Sequence, residues 1–383
     1  MIKKISLAFS MLILSMQLQA QKNEIKVPMT ASAWEHDAEK VEFVTHNSVP
    51  AVRSKTGEGF QIQLKNHQFT NGTLEFDVEF TDRGFPGIGF RSSDDQLNTE
   101  LFYIRYFGTV DPLSRYTMQY ATVIDGVNMW DMTDEYQAAA TIYDGRWNHV
   151  KLVVSGKQMK VYVNDMDNVA LHVPALEGNQ ETGGIYLSGS VIYANLVIQP
   201  NATEGLTETA GYDPTYSDTR YLKHWKVNSP IELPFNRDIF KGMQGDVVID
   251  STLMNSTEWK SIKAERRGMV NLTRRYGATE DGKRRLAWVK TNIKSETDQV
   301  KRLKLGFSDE VWVFIDGQPL FVDKNYYGSP GMKAPRGRCT IANSEIMLPL
   351  KKGDNELLLG IANYFFGWGF VARLDSTDGL QLN

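Results

Sequence analysis

The chain reads as all-β, two tandem β-sandwiches, and three observations predict it. Short segments of alternating apolar and polar residues recur between Gly, Pro, Asn and Asp turns, from about residue 22 to 199 and again from 220 to 383. No stretch shows a convincing helical period. Between the two runs, residues 200–219 (NATEGLTETAGYDPTYSDT from Asn201) are polar and turn-rich, as a linker or surface crossover is.

Ahead of the first run, Lys3 and Lys4 precede an apolar stretch from Ile5 to Met16, and Leu18-Gln19-Ala20 ends on a small residue. Residues 1–20 therefore read as a signal peptide, and nothing later is long and apolar enough for a transmembrane segment. The single cysteine, Cys339, excludes an intramolecular disulfide and lies far from any lipid-anchor position. The expectation is an exported, soluble periplasmic or extracellular protein that is not a lipoprotein. The charge balance, −4 with no basic stripe, argues against nucleic acid. Eight Trp and sixteen Tyr suit a β-rich chain and leave rings for ligand stacking, although cross-strand pairs use the same residues.

The first element is 71–91, NGTLEFDVEFTDRGFPGIGFR. Leu74, Phe76, Val78 and Phe80 share one face, and Glu75, Asp77 and Glu79 the other. Across the Gly/Pro turn Ile88 and Phe90 point inward and Arg91 outward, which predicts a pair of antiparallel strands. Further strands are 99–107 (TELFYIRYF) and 116–124 (YTMQYATVI). A hairpin of 148–154 with 158–163 follows, then 184–187 and 193–198. In the second run the clearest strands are 285–291, 299–305, 311–315, 346–350, 356–362 and 369–374, with hairpin turns at Asp316-Gly317 and 352–355.

FTNGTLEFDVEF, GIGFR, ELFYIR, MQY, RWNHVKLVVSGKQMKVYVND and GGIYLSG…YANLVI together resemble the concanavalin A-like (laminin G-like) sandwich. Within it they resemble the branch of bacterial 3-keto-disaccharide hydrolase-like domains. LKLGFSDEVWVFIDGQPLF and IMLPLKKGDNELLLGIANYFFGWGF resemble a galactose-binding-like jelly roll of the kind attached to carbohydrate-active enzymes. These resemblances imply fold and a sugar-related setting; one sandwich fold hosts lectins, hydrolases and inert modules.

Three constellations carry chemistry. Glu75, Asp77 and Glu79 match the E-x-D-x-E strand of family 16 glycoside hydrolases, which implies a nucleophile, an orienting acid and an acid/base. That chemistry needs carboxyls about 5 Å apart, whereas the Cα atoms of residues four apart on a strand are separated by ~13 Å. Alternatively the acids simply decorate an exposed strand. If the strands are neighbours, Arg91, Tyr103, Arg105 and Gln119 join that face, and Glu100 is a further ligand candidate within the R…E-x-x-Y-x-R elements that the 3-keto-disaccharide hydrolase-like resemblance carries. Carboxylates, guanidinium groups, a ring and an amide on one concave sheet suit polyol recognition, and equally suit cross-strand ion pairs. The loop DGVNMWDMTDEYQ places Trp130 among acids, as a sugar platform or as an anchor, with a structural calcium ion admitted by its oxygen ligands.

In the second run Tyr326, Tyr327, Arg336, Arg338 and Trp368 are candidate ligand residues, while Phe365, Phe366 and Phe370 read alternatively as core. Metal-ligand, Walker, dinucleotide and G-x-S-x-G patterns are missing, so no metal site or cofactor is expected. The leading expectation is an exported protein that binds a polysaccharide or oligosaccharide on the first sandwich. The alternatives are a glycoside hydrolase or keto-sugar enzyme using the three carboxylates, and a protein-interaction module.

Overall fold

The computed structural model describes residues 24–108, 110–241, 248–254, 258–280 and 282–382. The segment read as an export signal lies outside them. The chain divides into two compact units. One comprises the residues up to Val123 with Tyr136–Gly211; the other comprises Ile124–Glu135 with Tyr212–Asn383.

The first unit is a two-sheet sandwich. Sheet I runs Leu171–Val173, Gln158–Val163, Trp147–Ser155, Gly72–Phe80, Val191–Pro200, Val49–Ser54, Val41–His46, with Ile25–Lys26 beside Val191–Pro200. Sheet II runs Met118–Ile124, Thr99–Ile104, Gly87–Ser92, Gly184–Gly189, Phe60–Leu64, Trp34–Glu35, and Gln137–Ala138 pairs with Met118–Ile124. Alternation does the folding work. Leu74, Phe76, Val78 and Phe80 of sheet I meet Ile88, Phe90, Phe102 and Ile104 of sheet II in one core. Each such side chain contributes about 1.5–3 kcal/mol on burial.

That packing corrects the expected pairing of the 71–91 element. Gly72–Phe80 pairs with Trp147–Ser155 and Val191–Pro200, whereas Gly87–Ser92 pairs with Gly184–Gly189 and Thr99–Ile104. The turn between them carries the chain across the sandwich instead of closing a hairpin, so both apolar faces meet in the core. Their polar faces consequently point in opposite directions, and Glu75, Asp77 and Glu79 do not share a face with Tyr103, Arg105 and Gln119.

The second unit is also a sandwich. Sheet III runs Lys260–Lys263, His224–Val227, Arg285–Ser295, Gly353–Asn363, Glu310–Ile315, Gln318–Lys324. Sheet IV runs Met269–Asn271, Gly369–Leu374, Gln299–Ser308, Ser344–Leu350. Val289, Leu305, Phe307, Val313, Leu359 and Phe370 lie in the core they share. Part of the outer face of sheet III is covered as well, where Leu233, Ile239 and Leu253 pack on Trp288, Trp312 and Phe314. The Asp316-Gly317 turn has φ of 47° and 74°, the left-handed geometry that a two-residue hairpin needs. Helix among the described residues is limited to Leu272–Tyr276, N-capped by Asn271, and two 3-10 turns.

The Ile124–Glu135 segment packs within the second unit. Ile124, Val127, Met129 and Met132 form an apolar cluster with Met269, Cys339 and Val371. A Cβ at Gly367 would fall 2.3 Å from Met132 Cγ, so only glycine admits the approach. Among the described residues no helix is long and apolar enough to cross a membrane.

Candidate functional site

The outward face of sheet II is built from transverse rows fixed by strand register. One row is Gln61, Ser188, Gly87, Tyr103, Gln119, Gln137; the next contains Gln63, Tyr186, Gly89, Leu101, Ala121. Polar side chains therefore stand side by side across strands, a consequence of the two-residue period. Tyr103 Oη donates to Gln119 Oε1 at 3.1 Å, and Arg105 Nη2 donates to Tyr103 Oη at 2.9 Å. Arg105 also donates to Gln119 Oε1, to Tyr116 O and to Gln137 Oε1. Its guanidinium carbon lies 5.0 Å from the Tyr103 ring centre.

Beside this network the surface is cut back by glycine. A Cβ at Gly89 would sit 2.2 Å from the Tyr186 ring, which lies flat across the strand in its place. Phe85 and Phe107 are 56% and 50% exposed, and Phe85 packs edge-on to both Tyr103 and Phe107. Tyr103, Gln119 and Gln137 are buried, so the groups left to meet a ligand at this shallow floor are the half-buried Arg105 guanidinium and the exposed Phe85 and Phe107 rings, a donor and stacking surfaces of the kind a sugar uses.

The outward face of sheet I carries Glu75, Asp77 and Glu79, and histidine neutralises much of their charge. Register sets His149 opposite Asp77. His149 Nδ1 lies 2.7 Å from Asp77 Oδ1, and Nε2 lies 3.2 Å from Glu75 Oε2. Hydrogen bonds to Asp77 and Glu75 raise His149 to about 9, so the ring is an imidazolium at neutral pH. The His149 hydrogen bond holds Glu75 below the usual carboxylate range. Burial pushes Asp77 upward, but hydrogen bonds from His149 and Asn195 bring it below its ordinary value. Glu79 meets His46 Nε2 at 3.0 Å. Glu75 and His149 line a cleft of about 480 Å³ that also includes Glu24, Lys26, Met29 and Gln199. The sequence reading had missed His149; the alternation of Trp147, His149 and Lys151 in RWNHVKL was the available signal.

Two expected ligand residues are instead interior. Arg91, 1% exposed, takes φ of 50° near a register shift and donates to Thr70 O and Asn71 Oδ1. Glu100 lies in register between Phe90 and Thr122 and turns into the sandwich, accepting from Tyr120 Oη at 2.6 Å and Gly178 N at 3.1 Å. Burial raises its carboxyl above the ordinary value against those two bonds. Both anchor the loops at one end of the sandwich.

In the second unit, Trp130 packs edge-on against Tyr327 and Phe366, with the Arg338 guanidinium 4.9 Å from its ring centre. Arg338 is only 2% exposed, while Tyr327 is half exposed. Tyr326 packs against Tyr364, and Arg336 takes φ of 50° in the same loop. Trp368 is a correction: its ring is fully buried, with Nε1 donating to Ile361 O, so solvent-borne ligand cannot stack on it. Phe370 is core, whereas Phe366 is 42% exposed. Asp131 accepts from Gly367 N and Ser308 Oγ, both at 3.1 Å, and burial pushes it up to about 7. Asp134 neighbours Arg338 and Glu135 pairs with Arg267. Among the described residues no group of three or more His, Cys, Asp or Glu is arranged to hold a metal ion.

The resemblance read in the first sandwich is borne out: residues 29–198 match the family model of the 3-keto-alpha-glucoside-1,2-lyase-like domain. Among curated proteins none matches the chain. Similar solved structures include carbohydrate binding module CBM66 from Bacillus subtilis, at 17% identity over 46% of this chain and 92% of that one, TM-score 0.29. A putative glycosyl hydrolase from Parabacteroides distasonis is 13% identical over 46% and 98%, TM-score 0.34. A Bacillus licheniformis beta-glucanase is 10% identical over 47% and 98%, TM-score 0.33. At these values the three carry no functional weight.

Proposed function

We propose that the protein binds carbohydrate on the outward face of sheet II in its first unit. The observation that carries this reading is the half-buried Arg105, held by Tyr103, Gln119 and Gln137 and standing beside the exposed rings of Phe85 and Phe107 and a glycine-lowered floor. The family match supports a sugar-related role and suggests glucosides as the first ligands to try. Removal of residues 1–20 on export, leaving Gln21 as the first residue, belongs to the same proposal; N-terminal sequencing of the secreted protein checks it. The binding test is affinity electrophoresis through gels containing soluble α- and β-glucans, with Tyr103→Ala alongside. Retarded wild type and a freely migrating, folded variant are expected; equal retardation of both contradicts the assignment.

The Glu75–His149–Asp77 cluster favours a second reading, acid–base chemistry in the 480 Å³ cleft of sheet I. It meets a specific obstacle. Glu75 held ionised suits the nucleophile of that chemistry, but Glu79, its acid/base, already meets His46 Nε2 at 3.0 Å. Product release from a glucoside that disappears in Glu75→Gln and Glu79→Gln would favour this reading over the first.

A further inference from the structure

The uncovered part of the outer face of sheet III concentrates positive charge in a protein whose net charge is −4. His224–Val227 pairs with Lys260–Lys263 on one side and with Arg285–Ser295 on the other. Register puts Lys226 directly opposite Lys290, and puts His224 opposite Lys263. Trp225 and Val227 face the core, so His224 and Lys226 face outward together. They line a groove of about 370 Å³ with Ser261, Lys290, Asn292 and Glu356.

Like charges placed directly opposite on neighbouring strands repel. Lys290 is partly relieved, since Nζ lies 2.8 Å from Glu356 Oε2 and 4.5 Å from the Trp259 ring centre. Among the described residues Lys226 and Lys263 have no carboxylate within ion-pair distance. An anionic ligand would supply the missing counter-charge.

The chemistry of the floor narrows the ligand. Ser261 and Asn292 offer neutral hydrogen-bonding groups between the lysines, as spaced sugar hydroxyls need. Glu356 sits in the groove as an acceptor for a hydroxyl and opposes an unbroken row of phosphates. We propose that this groove is a second binding site, for an acidic polysaccharide whose carboxylate or sulfate groups pair with Lys226 within it and with Lys263 beside it, opposite His224 on the edge strand. The site is distinct from the sheet II face and does not depend on it.

The test uses the full chain on affinity gels containing polygalacturonate, dextran sulfate or neutral dextran, with duplex DNA as a competitor. The Tyr103→Ala chain, in which the sheet II face is disabled, is expected to be held by one or both acidic polymers and not by neutral dextran. Whichever polymer holds it identifies carboxylate or sulfate as the recognised group. Binding should weaken about tenfold or more in Lys226→Glu/Lys263→Glu, and should fall as salt shortens the Debye length to a few ångströms. Arg105→Ala should leave it unchanged. Lys226→Gln keeps the test valid if the double variant folds poorly, because it relieves the Lys226–Lys290 repulsion: weaker binding with an unchanged or raised Tm is expected. Equal retention on neutral dextran, no retention on either acidic polymer, full retention by the folded variants, or displacement by DNA at equal charge would each overturn the proposal.

Discussion

His149 stands between two carboxylates, and its chemistry follows from one register position. Because Trp147–Ser155 lies antiparallel to Gly72–Phe80 with His149 opposite Asp77, both ring nitrogens find an acid within hydrogen-bonding distance. A base whose pKa is raised on folding stabilises the fold fully below its unfolded value, here 6.5, and loses that contribution as pH climbs to about 9. The side chain is 38% exposed, so solvent screens the pair and the effect is small. Two outcomes are expected on replacing His149 by Gln. NMR titration should show Glu75 and Asp77 moving upward, and the fall in stability between pH 6.5 and 9 should become shallower. A wild-type imidazole titrating near 6.5 would contradict this account of the face.

Among the elements, the Ile124–Glu135 segment shows most clearly what strand patterns leave unsaid. Its acids and Trp130 read as a sugar platform or as an anchor, because polarity alone does not reveal what a loop packs against. In the structure Met129 and Met132 are buried with Met269 and Val371, and Asp131 is held by Gly367 and Ser308. Met132→Ala should therefore cost the second unit about 2–4 kcal/mol in unfolding, read from urea midpoints. Asp131 supplies a pH signature. A carboxyl raised by burial stabilises below its unfolded value, 3.8, and that contribution is lost as pH rises to about 7. Asp131→Asn should flatten the decline in stability over that range, and an unchanged slope would show that Asp131 does not titrate there.

Individual strands were legible because Leu74, Phe76, Val78 and Phe80, or Ile88 and Phe90, declare an inward face by period alone. Their partners were not. The FPG turn after Phe80 serves a crossover as well as a hairpin, and only the sheet assignment separates the three acids from Tyr103, Arg105 and Gln119. Arg91 was misplaced because a register shift beside it breaks the alternation and turns it inward to a backbone carbonyl, whereas Glu100, two residues before Phe102, lies inward by the same period that puts Phe102 and Ile104 in the core. Tyr103 and Gln119 were placed on one face correctly, because neighbouring strands in register carry them there.

At the scale of the whole molecule, each unit carries its own polar surface, and the two outward faces of the first unit make different chemical offers. Sheet I presents carboxylates already satisfied by histidine, while sheet II presents the Arg105 guanidinium, held by buried Tyr103 and Gln119, with exposed rings beside it. Sheet II is the face that we propose meets sugar. A glycan array printed with neutral oligosaccharides, probed in parallel with wild type, Arg105→Ala and Glu75→Gln, tests it directly. The expected result is binding by wild type and Glu75→Gln, with at least a tenfold loss, about 1.4 kcal/mol, in Arg105→Ala. Binding that survives Arg105→Ala and disappears in Glu75→Gln would move the site to sheet I and contradict the account.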